Sequence, residues 1–311
     1  MRTCKHIAAL LALLAGLGLS PTGIAADDLP KAQDATISGN PAPSAEQIQS
    51  LIDRMIANQH KDDRAINEFE RVERLITRNS GENSDIASDH TERILPSGTG
   101  VMKLQVEQTG VPYSQDLHRQ QLQYAVSALD LYLNPNDRMR QSVAKFEKRK
   151  RDRADLLDAA SKAFRVTWAG RETRGSQTFA KLLLDPDPNY KANSHFATTF
   201  EHIRAVLWVD ESQAQMARLE GDIASDIVFV GGIAGKVYRG GHFVMEQSEV
   251  APGVWLPTLY TYDVDGRKFL FGFSIHERTE VSRYRHVGPP AQEIEVIRAE
   301  LNNLSAKTAA P

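Results

Sequence analysis

The chain has almost no cysteine. Its one thiol, Cys4, stands in a basic leading segment ahead of an apolar run, so removal of that segment leaves no disulfide and no thiol nucleophile. Its position also excludes lipid acylation, because an acylated cysteine follows the apolar run at the cleavage point. The sequence contains no Gly-x-Ser-x-Gly elbow and no His-Glu-x-x-His, which leaves acyl transfer without a nucleophile motif and zinc without a recognised ligand spacing. Beyond residue 26 no apolar run approaches the roughly 20 residues needed to span a bilayer. Positive charge is not in excess either: 37 Lys and Arg face 40 Asp and Glu. That balance excludes a general nucleic-acid binder, which needs a basic footprint for phosphate. No internal repeat is visible.

Met1–Ala26 carries Arg2 and Lys5, an apolar run from Ile7 to Leu19 and the small pair Ala25-Ala26. This is the three-part build of a secretory signal, and it predicts an exported protein, with the bacterial periplasm as the destination. Asp27–Pro43 is small, polar and proline-punctuated, the composition of a disordered leader.

Ser44 opens a helix with Gln47 completing a capping box. Ile48, Leu51, Ile52, Met55 and Ile56 fall on one helical stripe, so one face of this helix docks on another element. Ala65–Thr77 is ambiguous between helix and strand. Ser84–Leu95 and Gly100–Gln108 read as a hairpin, and Ser114–Arg153 switches to helical spacing. Strands then follow from Phe164 to Gly288 with little helix between them: Phe164–Trp168 with a turn at Ala169-Gly170, Phe179–Leu184, Ile203–Val209, Gln215–Ile223, Asp226–Val230, Lys236–Arg239 and His242–Val250. Gly253–Tyr262 and Lys268–His276 form the clearest pair, with Asp265-Gly266 expected at the turn. A short helix, Glu293–Leu304, closes the chain. Strands without crossover helices predict a mainly β chain with helices (α+β), built on a large curled antiparallel sheet or unclosed half-barrel covered by amphipathic helices. We expect one domain over residues 44–288, with a helical insertion at 114–160 and a short C-terminal helix and tail at 289–311.

Residues that carry chemistry are sparse. His195 with His202, and His242 with His276 and His286, lack metal-ligand spacing. Gly231–Gly235 lacks the serine or threonine of a P-loop, Val237 standing in its place. Asp185 with Asp187, and Asp263 with Asp265, sit in turn sequences where aspartate serves local hydrogen bonding. No catalytic set, metal or cofactor is therefore expected, although a hydrolase using His242 or His276 stays open. The remaining candidates are apolar. Trp208, Phe243, Met245, Trp255, Tyr260, Phe269, Phe271 and Phe273 would line a trough, and Ile48, Leu51, Ile52 and Met55 would form its lid. Such a trough holds acyl chains by burying each methylene for about 0.8 kcal/mol; the same residues packed as a filled core would leave only protein contacts. Lys148, Arg149, Lys150 and Arg151 belong to a basic run that suits either an anionic membrane surface or a solvated helix face.

The run Ala205-Val206-Leu207-Trp208-Val209-Asp210-Glu211-Ser212-Gln213-Ala214-Gln215-Met216, followed by Gly253-Val254-Trp255-Leu256-Pro257 and Asp265-Gly266-Arg267-Lys268, resembles the strand, aspartate turn and strand of the outer-membrane lipoprotein-sorting superfamily (LolA/LolB-like, with RseB N-terminal-like relatives). The likeness covers mainly Phe164 to Gly288. It implies an unclosed antiparallel barrel with helices over its mouth, and a non-enzymatic role in binding or carrying a lipid or acylated lipoprotein, or in sensing one. The helical stretch Ser114–Arg153 is longer than a compact carrier of this kind needs.

Overall fold

In the computed structural model of the chain the described residues are 36–37, 42–81, 84–194, 196–229, 235–269 and 271–308. The signal segment, most of the leader, His195 and nearly all of Gly231–Gly235 lie outside them. Within the leader stretch, Thr36–Ile37 (β1) pairs with Thr173 and Glu172.

The first helix, Ala45–Ala65 (α1), starts as its sequence dictates. Ser44 Oγ accepts the N–H of Gln47 at 3.3 Å and Gln47 Oε1 accepts the N–H of Ser44 at 2.8 Å, so two orphan donors are satisfied reciprocally. The helix runs nine residues beyond Ile56, and a single 3-10 turn at Ile66–Glu68 separates it from strand Phe69–Arg78 (β2). The ambiguous segment is thus mostly strand. Ile86–Pro96 (β3) and Val101–Gln108 (β4) follow as a hairpin, with Val111–Pro112 (β5) at the edge. Two helices interrupt the sheet, Gln115–Leu133 (α2) and Asp137–Ala163 (α3), capped by Ser114 and Asn136.

The β pattern resumes with Phe164–Arg174 (β6), Gln177–Pro186 (β7), Ile203–Asp210 (β8), Gln215–Ile223 (β9), Ile227–Phe229 (β10), Gly235–Val237 (β11), His242–Ala251 (β12), Val254–Lys268 (β13) and Phe271–His286 (β14), and Pro290–Thr308 forms the last helix, α4. All pairings are antiparallel, in the order β1-β6-β7-β8-β9-β12-β13-β14-β2-β3-β4-β5, with the β10–β11 hairpin attached to β13. The sheet is curled and not closed, which is the fold class the sequence predicts.

Two turns lie elsewhere than expected. Ala169-Gly170 is not a turn: it is a bulge in β6, where Trp168 pairs with Leu182 and Gly170 with Lys181, so Ala169 is the extra residue. Asp265-Gly266 is not a turn either. Strand β13 runs on to Lys268, with Gly266 opposite Phe273 and the chain reversing between Lys268 and Phe271. A Cβ on Gly266 would lie 2.4 Å from Phe273 Cζ and 2.5 Å from the Lys236 carbonyl oxygen. The glycine therefore serves the close approach of β11 and of an aromatic ring, not a reversal of the chain.

Helices cover both faces. Leu122, Ala125 and Leu129 of α2 and Ile294 and Ile297 of α4 bury Leu95, Met102 and Leu104 on the outer face of β3–β4. On the inner face, Leu51, Ile52 and Met55 of α1 bury Leu182, Leu207, Val209, Met216, Met245 and Tyr260. Helix α3 crosses beside α1: Arg149 donates to the Thr99 carbonyl at 3.0 Å, Arg153 pairs with Asp63, and Leu156, Ala159 and Ala163 pack on Ala197 and Phe200.

Candidate functional site

The inner face divides into two chemically distinct halves. Side chains alternate across each strand, so the residues that share a face with Tyr260 follow from the pairing Tyr260–Thr279–Leu75–His90. On that face β2, β3 and β4 present Arg71, Glu73, Glu92 and Lys103. Arg71 Nε donates to Glu73 Oε1 at 2.8 Å and Lys103 Nζ to Glu92 Oε2 at 2.6 Å. Glu277 of β14 joins this half, and burial raises its carboxyl pKa. Strands β6 to β9 and β12 instead present Val166, Leu184, Ala205, Leu207, Leu219 and Met245. The first half also buries Phe69, Leu75 and Ile94 between its charges, whereas the second half is apolar almost throughout.

There, between the sheet, α1 and the C-terminal half of α3, lies a cavity of about 110 Å³. Ile52, Met55, Ile56 and Gln59 form its α1 wall, and Leu157, Ala160 and Ser161 its α3 wall. Phe164, Phe200, Ile203, Phe243 and Met216 complete the lining. Only Gln59 and Ser161 carry polar side chains. The volume is less than the ~150 Å³ of an engineered apolar cavity that admits benzene. A long chain therefore enters only if a wall moves.

The polar contacts of α1 show which wall that is. Asn58 Nδ2 donates to the carbonyls of Gln213 and Ala214, both at 3.0 Å, and Gln59 Nε2 donates to Gln247 Oε1 at 2.9 Å. Lys61 Nζ donates to the Gly253 carbonyl at 3.0 Å, and His60 Nε2 lies 2.7 Å from Asp158 Oδ1. Asp62 accepts the backbone N–H of Trp255, and Asp63 pairs with Arg153. Residues 45–57 have no such attachment: among the described residues their side-chain hydrogen bonds stay within the helix or its cap. Leu51, Ile52 and Met55 hold this half by apolar burial, at about 1.5–3 kcal/mol each. Ten or so methylenes, at ~0.8 kcal/mol apiece, are enough to replace them.

The structure distributes the sequence-predicted residues among six places. Phe243 and Met245 line the cavity, as do Ile52 and Met55 from the lid set. Tyr260 and Leu51 are buried in the adjoining cluster, and Ile48 packs at its margin. Trp208 lies on the opposite face of β8 from Leu207. Its Nε1 donates to Glu172 Oε2 at 2.7 Å, and Lys181 Nζ sits 4.9 Å from its ring centroid. Trp255 closes the fixed end of α1, with Nε1 donating to Gln213 Oε1 at 3.2 Å. Phe273 packs with Ile203, Ile223 and Val264. Phe269 and Phe271 do not line a trough: they are 50% and 77% exposed at the β13–β14 tip. Period-two alternation places Phe269, Phe271 and Phe273 on one face only while the strand continues, and here the strand reverses at Phe269.

The α3 wall, Leu157, Ala160 and Ser161, escaped sequence reading; its signal was the continuation of helical spacing past Arg153. In the basic run, Lys148 pairs with Asp152 and Lys150 with Glu147, while Arg149 stacks on Phe146. The histidines are dispersed. His202 faces Ser225, His242 faces Asp222, His276 faces Asp263 and His286 faces Glu68. Among the described residues no group of three or more His, Cys, Asp or Glu converges as a metal site, and no helix is long and apolar enough to cross a membrane.

No protein-family model matches the chain, and no curated protein matches it significantly. Solved structures similar to it include a LolA superfamily protein from Nitrosomonas europaea (10% identity, covering 79% of this chain and 96% of that one, TM-score 0.30). A DUF1329 family protein from Desulfovibrio piger has 11% identity, covers 77% and 93%, and has a TM-score of 0.26. An outer membrane lipoprotein-sorting protein domain from Vibrio parahaemolyticus has 8% identity, covers 79% and 99%, and has a TM-score of 0.27. At these identities and scores, function has to be read from the chain's own residues.

Proposed function

We propose that the protein is a non-enzymatic binder of a lipid or lipoprotein acyl chain in the cell envelope, reached through the signal segment at its N-terminus. The observation that carries this is the apolar cavity beneath a helix pinned by hydrogen bonds only at residues 58–63. In the closed state the side chains of Ile52 and Met55 stand where part of the chain would lie. Displacing the 45–57 half of α1 exposes Leu207, Met216, Phe243 and Met245 to a ligand, and the three methionines lining the site adapt readily to a flexible chain. The ionic half of the inner face limits where that chain lies, because Arg71 paired with Glu73 and Lys103 paired with Glu92 set charges beside its apolar residues.

A second reading is favoured by the small volume itself. With the interior nearly filled by α1, the same fold serves as an envelope structural or sensory protein acting through protein contacts. Mass spectrometry of organic-solvent extracts decides between them, using protein purified from a periplasm without detergent. A stoichiometric co-purifying lipid supports the binder. An empty extract, together with no uptake of added phospholipid or lipopeptide, supports the filled-core protein.

A further inference from the structure

We infer that the β13–β14 tip, with β11 beside it, is a docking surface for an anionic lipid bilayer. Ile203, Ile223, Asp222, His242, Asp263 and His276 mark one end of the sheet, as the pairings run from β8 through β9, β12 and β13 to β14. From that row β13 continues five residues further, to Lys268, a projection of about 16 Å at ~3.3 Å per residue. At its end stand Phe269 and Phe271, 50% and 77% exposed. Phe269 has φ 52°, a left-handed conformation uncommon for a bulky residue. Tyr238, 38% exposed, lies beside β13, its backbone N–H donating to the Asp265 carbonyl at 2.9 Å.

The charges around these rings supply the choice of partner. Lys236 of β11 is opposite Arg267, and Lys268 follows. Lys268 Nζ lies 6.0 Å from the Phe269 centroid and Lys236 Nζ 5.5 Å from that of Tyr238. Lys236 is paired with Asp226, and Asp265 is engaged by Ser274. Arg267 and Lys268 form no ion pair among the described residues. Projecting aromatic rings set among lysine and arginine match the layering of a bilayer interface, with an apolar boundary beneath anionic headgroups. The basic run of α3 does not contribute, because Arg149 reaches the β3–β4 turn at the opposite end of the sheet.

The surface stands whether or not the cavity takes a ligand, and vesicle flotation of the purified protein tests it. Expected is co-flotation with phosphatidylcholine vesicles containing phosphatidylglycerol at low salt, weakened by high salt. Phe269→Ser with Phe271→Ser should lower that partition roughly tenfold, with an unchanged melting curve because both rings are exposed. Arg267→Glu with Lys268→Glu should abolish the preference for phosphatidylglycerol. The fluorescence that Phe271→Trp adds should shift to the blue with vesicles. The inference is overturned by absence of flotation, by flotation that the tip variants leave intact, by loss only on Lys148→Glu with Arg151→Glu, or by an added emission that vesicles do not shift.

Discussion

Asp62 Oδ1 accepts the backbone N–H of Trp255 at 3.2 Å, across 193 residues of sequence. This bond joins the fixed end of α1 to the start of β13, and it is made by a carboxyl that is 3% exposed. Burial pushes the Asp62 pKa up to about 6, against the lowering effect of the Trp255 N–H.

An acid whose pKa is raised on folding holds its proton longer in the folded state than in the unfolded one. Its contribution is complete below the unfolded value and declines as pH rises through about 4 to 6. Asp62→Asn keeps an acceptor for the Trp255 N–H and removes the charge. We expect it to stabilise the protein at pH 7 by about 1–3 kcal/mol and to leave stability at pH 4 nearly unchanged. Denaturant titrations at the two pH values check this.

Glu293 of α4 is fully buried, and neither carboxyl oxygen has a hydrogen-bond partner. Burial and the neighbouring Glu70 raise its pKa to about 8, against Arg93 and Arg285. By the same sign, stability falls as pH rises from about 4.5 to 8. Glu293→Gln should therefore raise the melting temperature clearly at pH 9 and little at pH 5. An equal gain at both would show that charge is not the cause.

Loss of the two bonds made by Asn58 should loosen α1 without emptying the core. For Asn58→Ala we expect hydrogen-exchange protection over residues 45–57 to fall roughly tenfold or more, at about 1 kcal/mol per bond. Protection in β8 and β9 should persist.

Ala160 and Ala205 both face the cavity. Ala160→Leu and Ala205→Leu each add three carbons to it. Under the lipid-binding reading, either variant should lose most of its co-purifying lipid while its melting temperature holds or rises. Undiminished lipid would place the bound chain elsewhere.

The fold was legible in the sequence wherever a local rule acted alone. The Ser44–Gln47 capping box, the stripe from Ile48 to Ile56 and the alternation in β8, β9 and β12 each follow from a few adjacent residues. Misreading came where a distant neighbour decided. Gly266 has the composition of a hairpin turn, yet its need for glycine comes from Phe273 and the Lys236 carbonyl. Trp208 and Leu207 are equally apolar by type, and only the pairing with Lys181 and Arg218 shows which face each takes. The candidate site was half visible for the same reason: Phe243 and Met245 lie in an obvious strand, whereas Ala160 and Ser161 become a wall only once α3 has crossed the sheet.

Strand β2 has β14 as one neighbour, and residue 77 sits opposite residue 277. Contacts of such long sequence separation are slow to form, because loop closure precedes any gain from pairing. A chain that emerges N-terminus first exposes the β2–β4 unit with an unpaired edge until residues near 286 arrive. That edge is a template for aggregation. The last strand made is thus a keystone, and a chain ending before it would leave two sheet fragments with no seam between them.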